Sequence, residues 1–476
     1  MPNAGADSTI MDLARPVAWS ARIAFAVGNV AETILSRSFE LFVLFFYTQV
    51  HGLSGSLAGA AILLALVVDG VSDPLVGSFS DSLRSRFGRR HTLMFLAIVP
   101  AAAFFIALFA PPASLQGFAL AAWLAMAAIG LRIAFTFFYI PWSAQIAELS
   151  VDTKERVTLA ILRNVFAALS QFAVVAVSFD LFFVATPNYP KGQENPAVYL
   201  PYALAMGVAM ALCMLLSAAG TYRRQLAAEG VAAALPQRFT SRALFQAWRN
   251  LIFRYKNFRS LFLGSLFALT AFSAFNALTL YLGTYFWNLS GAQIRNWQFA
   301  LIGGLFLTMV AGKPIIDRLP GPPLFTGGIA GGAFLFAAPM LLRLLGLLPE
   351  SAENAFPWLV ASNGLAGFCL GTVMIVSAVI AAETADDYER RTQAKSTALL
   401  FGFVFLAMKS ASGLGKLLTG LIVDFVQLPA AKQTQSISTA QVAALGWWCV
   451  ASLIVLGGLG VWAFAGYQTP LQQSEP

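Results

Sequence analysis

Two carboxylates, Asp69 and Asp73, stand four residues apart inside the apolar run LLALVVDGVSDPLVGSFSD. On a helix that spacing puts both on one face. An insertion scale prices each aspartate near a bilayer centre at about 2.5–3.5 kcal/mol. Residues that costly face the protein interior and mark an ion path. Two close carboxylates repel, so one takes a proton unless a cation binds. The pair therefore predicts a site for H⁺ or Na⁺. Ser72 adds a hydroxyl oxygen, which suits a hard cation. A structural, hydrogen-bonded pair is the plainer alternative.

Other charges need partners too. Lys409 lies in FGFVFLAMKSASGLGK, and a lysine there requires a counter-charge. Asp69 and Asp73 are its candidates, and a lysine competing with the cation would couple ion binding to helix movement. A static ion pair is the alternative. Lys416, one to two turns on, is a second lysine of this kind. Glu32, Arg37, Glu40, Arg132 and Arg163 also fall in apolar runs. Arg37 and Glu40 are three apart and predict a pair. Arg132 and Arg163 are expected to line a polar cavity. Tyr139 and Trp142 follow Arg132 in FTFFYIPW, and aromatics beside charges suit a solute with an apolar face and hydroxyls. Interfacial anchoring competes for Trp142. Asp81, Arg84, Arg86, Arg89 and Arg90 crowd DSLRSRFGRR. Topology alone accounts for that charge; a gate closing on Asp386, Asp387 and Glu389 is the functional alternative.

The elements that position these groups follow from composition. Only 11% of the 476 residues are charged, 58% are hydrophobic, and the mean hydropathy is +0.72. Soluble domains carry roughly 25% charged residues, so lipid must cover most of this surface. In lipid every backbone N–H and C=O is paired internally, which leaves helices or closed barrels. Apolar runs of about 20 residues select helices. Twelve are placed, near 18–50, 55–80, 91–110, 117–147, 157–184, 199–220, 259–289, 293–316, 323–347, 357–382, 396–427 and 441–466. Pro74, Pro100, Pro141, Pro314 and Pro339 are candidate kinks. Residues 1–17 and 467–476 read as tails. Residues 221–258 divide the chain into six-helix halves, 18–220 and 259–466, a common transporter plan with midplane binding. Gly77 to Asp81 and Arg84 after helix 2 have weak counterparts in Gly312, Asp317 and Arg318 after helix 8. Residues 243–255 read as a basic amphipathic surface segment.

The net charge of +8 sits in short segments between apolar runs. It signals topology, not nucleic-acid binding, and puts both termini in the cytoplasm. Cys213, Cys369 and Cys449 lack disulfide or zinc spacing. No signal peptide is visible. Enzyme chemistry is absent as well. SASGLGKLL fails as a phosphate loop, because Ser410 replaces its first glycine and Leu417 follows the lysine. No cofactor is expected beyond a coupling Na⁺ or H⁺.

The run DGVSDPLVGSFSDSLRSRFGRRH resembles the helix 2–3 signature of the glycoside–pentoside–hexuronide:cation symporters of the major facilitator superfamily, which include melibiose permease. FFYTQVHGLS, FYIPWSAQIAELSVDTKER and AETADDYERRTQAKS extend the resemblance along the chain. It implies an all-α integral membrane fold, twelve transmembrane helices in two halves, and alternating access. It implies that Asp69 and Asp73 are cation ligands, that Ser72 holds a polar ligand position, and that Thr136 supplies a helix 4 hydroxyl. It matches Lys409 to a lysine near the carboxylates and Arg163 to an arginine at the sugar site. Thr33, beside Glu32, and Tyr139 stand where the permease has sugar-binding carboxylates. The resulting expectation is a monomeric symporter of a bacterial inner membrane. Na⁺ is favoured slightly over H⁺, and a sugar, glycoside or uronide is the solute. A carrier of amphiphiles such as lysolipids, and a non-transporting sensor or scaffold, are the alternatives.

Overall fold

The computed structural model describes residues 16–83, 85, 87–150, 152–229, 249, 251–316, 318–349, 351–392, 397–429 and 437–468. Twelve long helices follow one another. The first six are α1 (Trp19–Ser38), α2 (Gly55–Ser82), α3 (Arg89–Leu108), α4 (Gly117–Glu148), α5 (Thr153–Val177) and α6 (Tyr199–Glu229). The second six are α7 (Lys256–Tyr281), α8 (Gly291–Ala311), α9 (Gly321–Leu344), α10 (Ala352–Thr392), α11 (Thr397–Val426) and α12 (Thr439–Phe464). Among the described residues, eleven helices are long and apolar enough to cross a membrane. The exception is α1, whose regular part carries Arg22, Glu32 and Arg37 and whose apolar part runs on in π turns at Phe39–Val43 and Phe46–Val50. Similar π turns end α5 at Ser178–Phe182 and α7 at Leu282–Phe286. Each π turn adds a residue to a turn and so rotates the face that follows; such turns recur at functional sites.

Two sequence boundaries move. Helix α6 runs to Glu229 and α10 to Thr392, well past the apolar runs that suggested them. Asp386, Asp387 and Glu389 were expected in a loop and instead occupy the last turns of α10. Asp387 and Arg391 pair there at i,i+4, and Arg390 and Arg391 complement the helix C-terminus. Pro74, Pro100, Pro141 and Pro339 all lie inside helices, and Pro314 in the short helix Lys313–Ile316.

The chain forms two compact units. The first joins residues 1–43, 64–182 and 195–238. In it α1 packs on α5 and α6, and α3 on α4 and α6. The second joins residues 44–63, 183–194 and 239–476, and repeats the pattern with α7 on α11 and α12, and α9 on α10 and α12. Residues 44–63 are tied into this second unit by Thr48, whose hydroxyl meets that of Tyr281 at 2.6 Å, and by Tyr285, which donates to Gln49 at 2.9 Å. Of the predicted surface segment, Arg249 and residues 251–254 are described. Leu251 packs on Phe258 and Ala385, while Phe253 is exposed.

Helix α2 shows how the site is aimed. Leu64, Val67, Val71, Leu75 and Phe79 form one exposed apolar stripe, recurring every three or four residues. In a membrane this stripe meets lipid. The opposite face buries Ala65, Leu66, Asp69, Val76 and Ser80.

A candidate cation and solute site in the first unit

Asp69 is 4% exposed and Asp73 is half-buried. On α4 the buried face carries Leu131, Phe135, Thr136, Phe138 and Trp142. It places the Thr136 hydroxyl between the two carboxylates, donating to Asp69 Oδ1 at 3.0 Å and lying 3.3 Å from Asp73 Oδ1. A hydroxyl has one proton to give. With both carboxylates ionised, only one of these contacts is a hydrogen bond, and the other sets lone pairs against lone pairs. A proton on one carboxylate, or a cation among the three oxygens, resolves the conflict. Ser72 donates its own proton to the backbone carbonyl of Asp69 at 3.0 Å, which leaves its lone pairs as acceptors.

Arg132 lies one turn before Thr136 on the same face of α4. Its Nη1 stands 3.7 Å from Asp69 Oδ2, and its guanidinium lies over the Phe39 ring, 4.5 Å from the centroid. Phe39 opens the first π turn of α1. Sequence reasoning gave Arg132 to the solute; the structure puts it at the carboxylate pair.

The solute-side residues divide in two. Tyr139 lies within electrostatic reach of Glu32, Arg163 and Asp73, and Glu32 within reach of Arg37, Glu40 and Arg132. These residues form one polar region. Thr33 does not join it. Its hydroxyl donates to the Asn29 carbonyl at 3.0 Å and accepts from Ser170 at 2.9 Å, sealing α1 to α5. Neighbouring positions on a helix point about 100° apart, so the α1 carboxylate in this region comes from Glu32. Trp142 is also corrected. Fully buried, it donates to the Phe25 carbonyl at 2.9 Å and stacks on Phe25. A Cβ at Gly28 would lie 2.3 Å from its Nε1, so the glycine is what admits the indole. Trp142 is a packing residue here. Arg37 and Glu40 pair at 3.5 Å, and Arg37 also donates to Gln171 at 2.8 Å.

Lys409 is half-buried on α11, in the second unit. Lys416 is buried and donates to Ser412 at 2.9 Å. Of the candidate gating residues, Arg84 and Arg86 lie outside the described residues. Arg89 donates to Glu148 at 2.8 Å, and Arg90 to the same carboxylate through two nitrogens. Gln225 also donates to Glu148, and Asp81 stands 3.6 Å from Arg90. Glu148 is the hub that sequence reasoning missed. Its signal was a lone acid closing the α4 run on the side of the basic loop. Asp387 accepts from Tyr255 and from Arg391.

This helix order, with six-helix sets that repeat one packing pattern, defines a transporter of the major facilitator type. The solved nucleoside transporter NupG has a similar fold, with TM-score 0.63 at 13% identity over 94% of this chain and 98% of that one. A D-xylose–proton symporter gives TM-score 0.59 at 13% identity, over 94% and 97%. A family described as MFS/sugar transport protein matches residues 24–469. Among curated relatives, an uncharacterized symporter, YnaJ, of Bacillus subtilis is 25% identical over 409 residues, 85% of this chain and 82% of its own length. The isoprimeverose transporter of Lactiplantibacillus pentosus is 23% identical over 413 residues, 86% and 80%. A putative glycoside/cation symporter, YagG, of Escherichia coli is 29% identical over 175 residues, 37% of each chain. The chain belongs to the glycoside–pentoside–hexuronide:cation symporter family of the major facilitator superfamily. It is a multi-pass membrane transporter and not an enzyme.

Proposed function

We propose that the protein couples entry of a proton or Na⁺ to that of a sugar, glycoside or uronide by alternating access. The cation sits at Asp69, Asp73 and Thr136, with Ser72 beside it. The observation that carries this reading is the Thr136 hydroxyl shared between two carboxylates, an arrangement that one added positive charge completes. Glu32, Tyr139 and Arg163 then meet the solute. Their mix of carboxylate, phenol and guanidinium suits hydroxyl-rich molecules, and the names of the relatives point the same way. Lys409 takes part in coupling, and the Asp81, Arg89 and Arg90 cluster in gating. The protein acts as a monomer in a bacterial inner membrane with both termini cytoplasmic, in keeping with its Arg-rich loops.

Proteoliposomes holding the purified protein test this. Under an imposed Na⁺ or H⁺ gradient they should accumulate at least one glycoside from a panel that also contains uronides and lysolipids. Asp73→Asn should fold and lose the gradient dependence. Failure of both ions to drive any solute refutes symport, and wild-type coupling in Asp73→Asn refutes the site.

A further inference from the structure

We infer that Arg132 is a tethered cation, permanently holding one of the two charges that the carboxylate pair can accept, so that the pair recruits a single monovalent ion per cycle. This rests on the cation-site reading above and goes beyond it. Three observations carry it. Arg132 Nη1 is 3.7 Å from Asp69 Oδ2, on the side of that carboxylate away from the oxygen that Thr136 engages. Asp69 is almost fully buried, so the two charges meet out of water, where their attraction is weakly screened. The guanidinium is also held in place by the Phe39 ring, while its buried Nε has no hydrogen-bond partner among the described residues. A side chain kept for its hydrogen bonds would not leave that donor idle; one kept for its charge can.

The charge count then follows. Asp69 and Asp73 bring two negative charges to Thr136, and Arg132 brings one positive charge. The remainder is a single negative charge, centred on Asp73 and the Thr136 oxygen. Glu32, Arg37 and Glu40 on α1, and Arg163 on α5 through Tyr139, lie around the same polar region. None of them has an ion-pair contact to Asp69 like that of Arg132. Arg132 is thus a determinant of ion number and affinity, and the exchangeable ion sits toward Asp73.

Cation binding to purified protein tests this without knowledge of the solute. Thermal stability and calorimetry are followed during titration with NaCl against choline chloride, at several pH values. Arg132→Gln should bind Na⁺ at least about tenfold more tightly than wild type, or bind it with a Hill coefficient rising from about 1 toward 2, since a second negative charge is uncovered. Arg132→Lys should behave as wild type. If Arg132→Gln is unstable without cation, NaCl should restore it, and the charge-balanced double variant Asp69→Asn/Arg132→Gln should return to one-ion binding. Unchanged affinity and ion number in Arg132→Gln overturn the inference. Failure of the site reading itself is seen separately, as wild-type cation binding in Asp73→Asn.

Discussion

Replacing Asp424 with alanine should loosen the seam between α2 and α11 at the end of α2 remote from Asp81. The Asp424 carboxylate accepts from the Gly55 N–H at 2.5 Å, the Ser56 N–H at 2.8 Å and the Ser54 hydroxyl at 2.7 Å. It therefore caps the first turn of α2 from another helix. The backbones meet directly beneath it. A Cβ on Gly55 would lie 2.3 Å from the Gly420 carbonyl oxygen, and one on Gly420 1.9 Å from that of Gly55. A capping side chain contributes about 0.5–2 kcal/mol, a negative charge at a helix N-terminus about 0.3–1 kcal/mol, and a hydrogen bond to a charged group about 1.5–3 kcal/mol. These overlap, and the carboxylate is only half-buried, so about 2–3 kcal/mol is the reasonable sum. At about 1.4 kcal/mol per factor of ten, the open form of the seam should rise roughly 30- to 150-fold. The assay is maleimide labelling of a reporter cysteine at the fully buried Ala58, in a background without Cys213, Cys369 and Cys449. Asp424→Ala should speed labelling by a factor in that range. Asp424→Asn keeps an acceptor and loses the charge, so it should fall between. An unchanged labelling rate and melting temperature in Asp424→Ala would refute the latch.

Further outcomes follow from other contacts. Gly420→Ala should lower the melting temperature or trap the seam open, because its Cβ collides with backbone that cannot rotate away; stability equal to wild type would show that the helices do not meet so closely. Glu148→Gln strands two guanidiniums that are 14% and 9% exposed. It should cost about 2–4 kcal/mol, less than a fully buried pair would, read as a drop in melting temperature. Glu194 lies outside the membrane helices, and burial holds its carboxyl above the usual glutamate range despite the Tyr285 hydrogen bond and Lys191. Its folded form therefore binds the proton more readily than the unfolded chain, so this contribution is present at low pH and is lost as pH rises through the raised value. Glu194→Gln should remove that loss, and its stability relative to wild type should grow with pH across that window.

How far the residues announced this arrangement depends on the distance over which they act. Asp69 and Asp73 were legible because a helix fixes i,i+4 neighbours by itself, and Arg37 with Glu40 by the same rule at i,i+3. The lipid stripe of α2 follows from the same periodicity. The contact of Arg132 with Asp69 was not legible. It joins residues 63 positions apart and depends on the rotation of α4 against α2, which no local pattern encodes. Glu32 and Thr33 show the limit of resemblance. Alignment to a related permease marks the position, but one residue of phase decides whether a side chain seals α1 to α5 or faces Tyr139. Beyond Phe39 the π turns shift that phase again. Hydropathy misled at the end of α10 because charge ends an apolar run without ending a helix; Asp387 and Arg391 stabilise the very turns they seemed to terminate. Gly55 and Gly420 were visible as glycines, yet their meaning is mutual and appears only when two backbones touch. The cation pair was therefore the readable part, since its chemistry is local. Ion number, solute-side geometry and gating are set by contacts between helices, and Arg132, Glu32 and Asp424 are where substitution should change each of these separately.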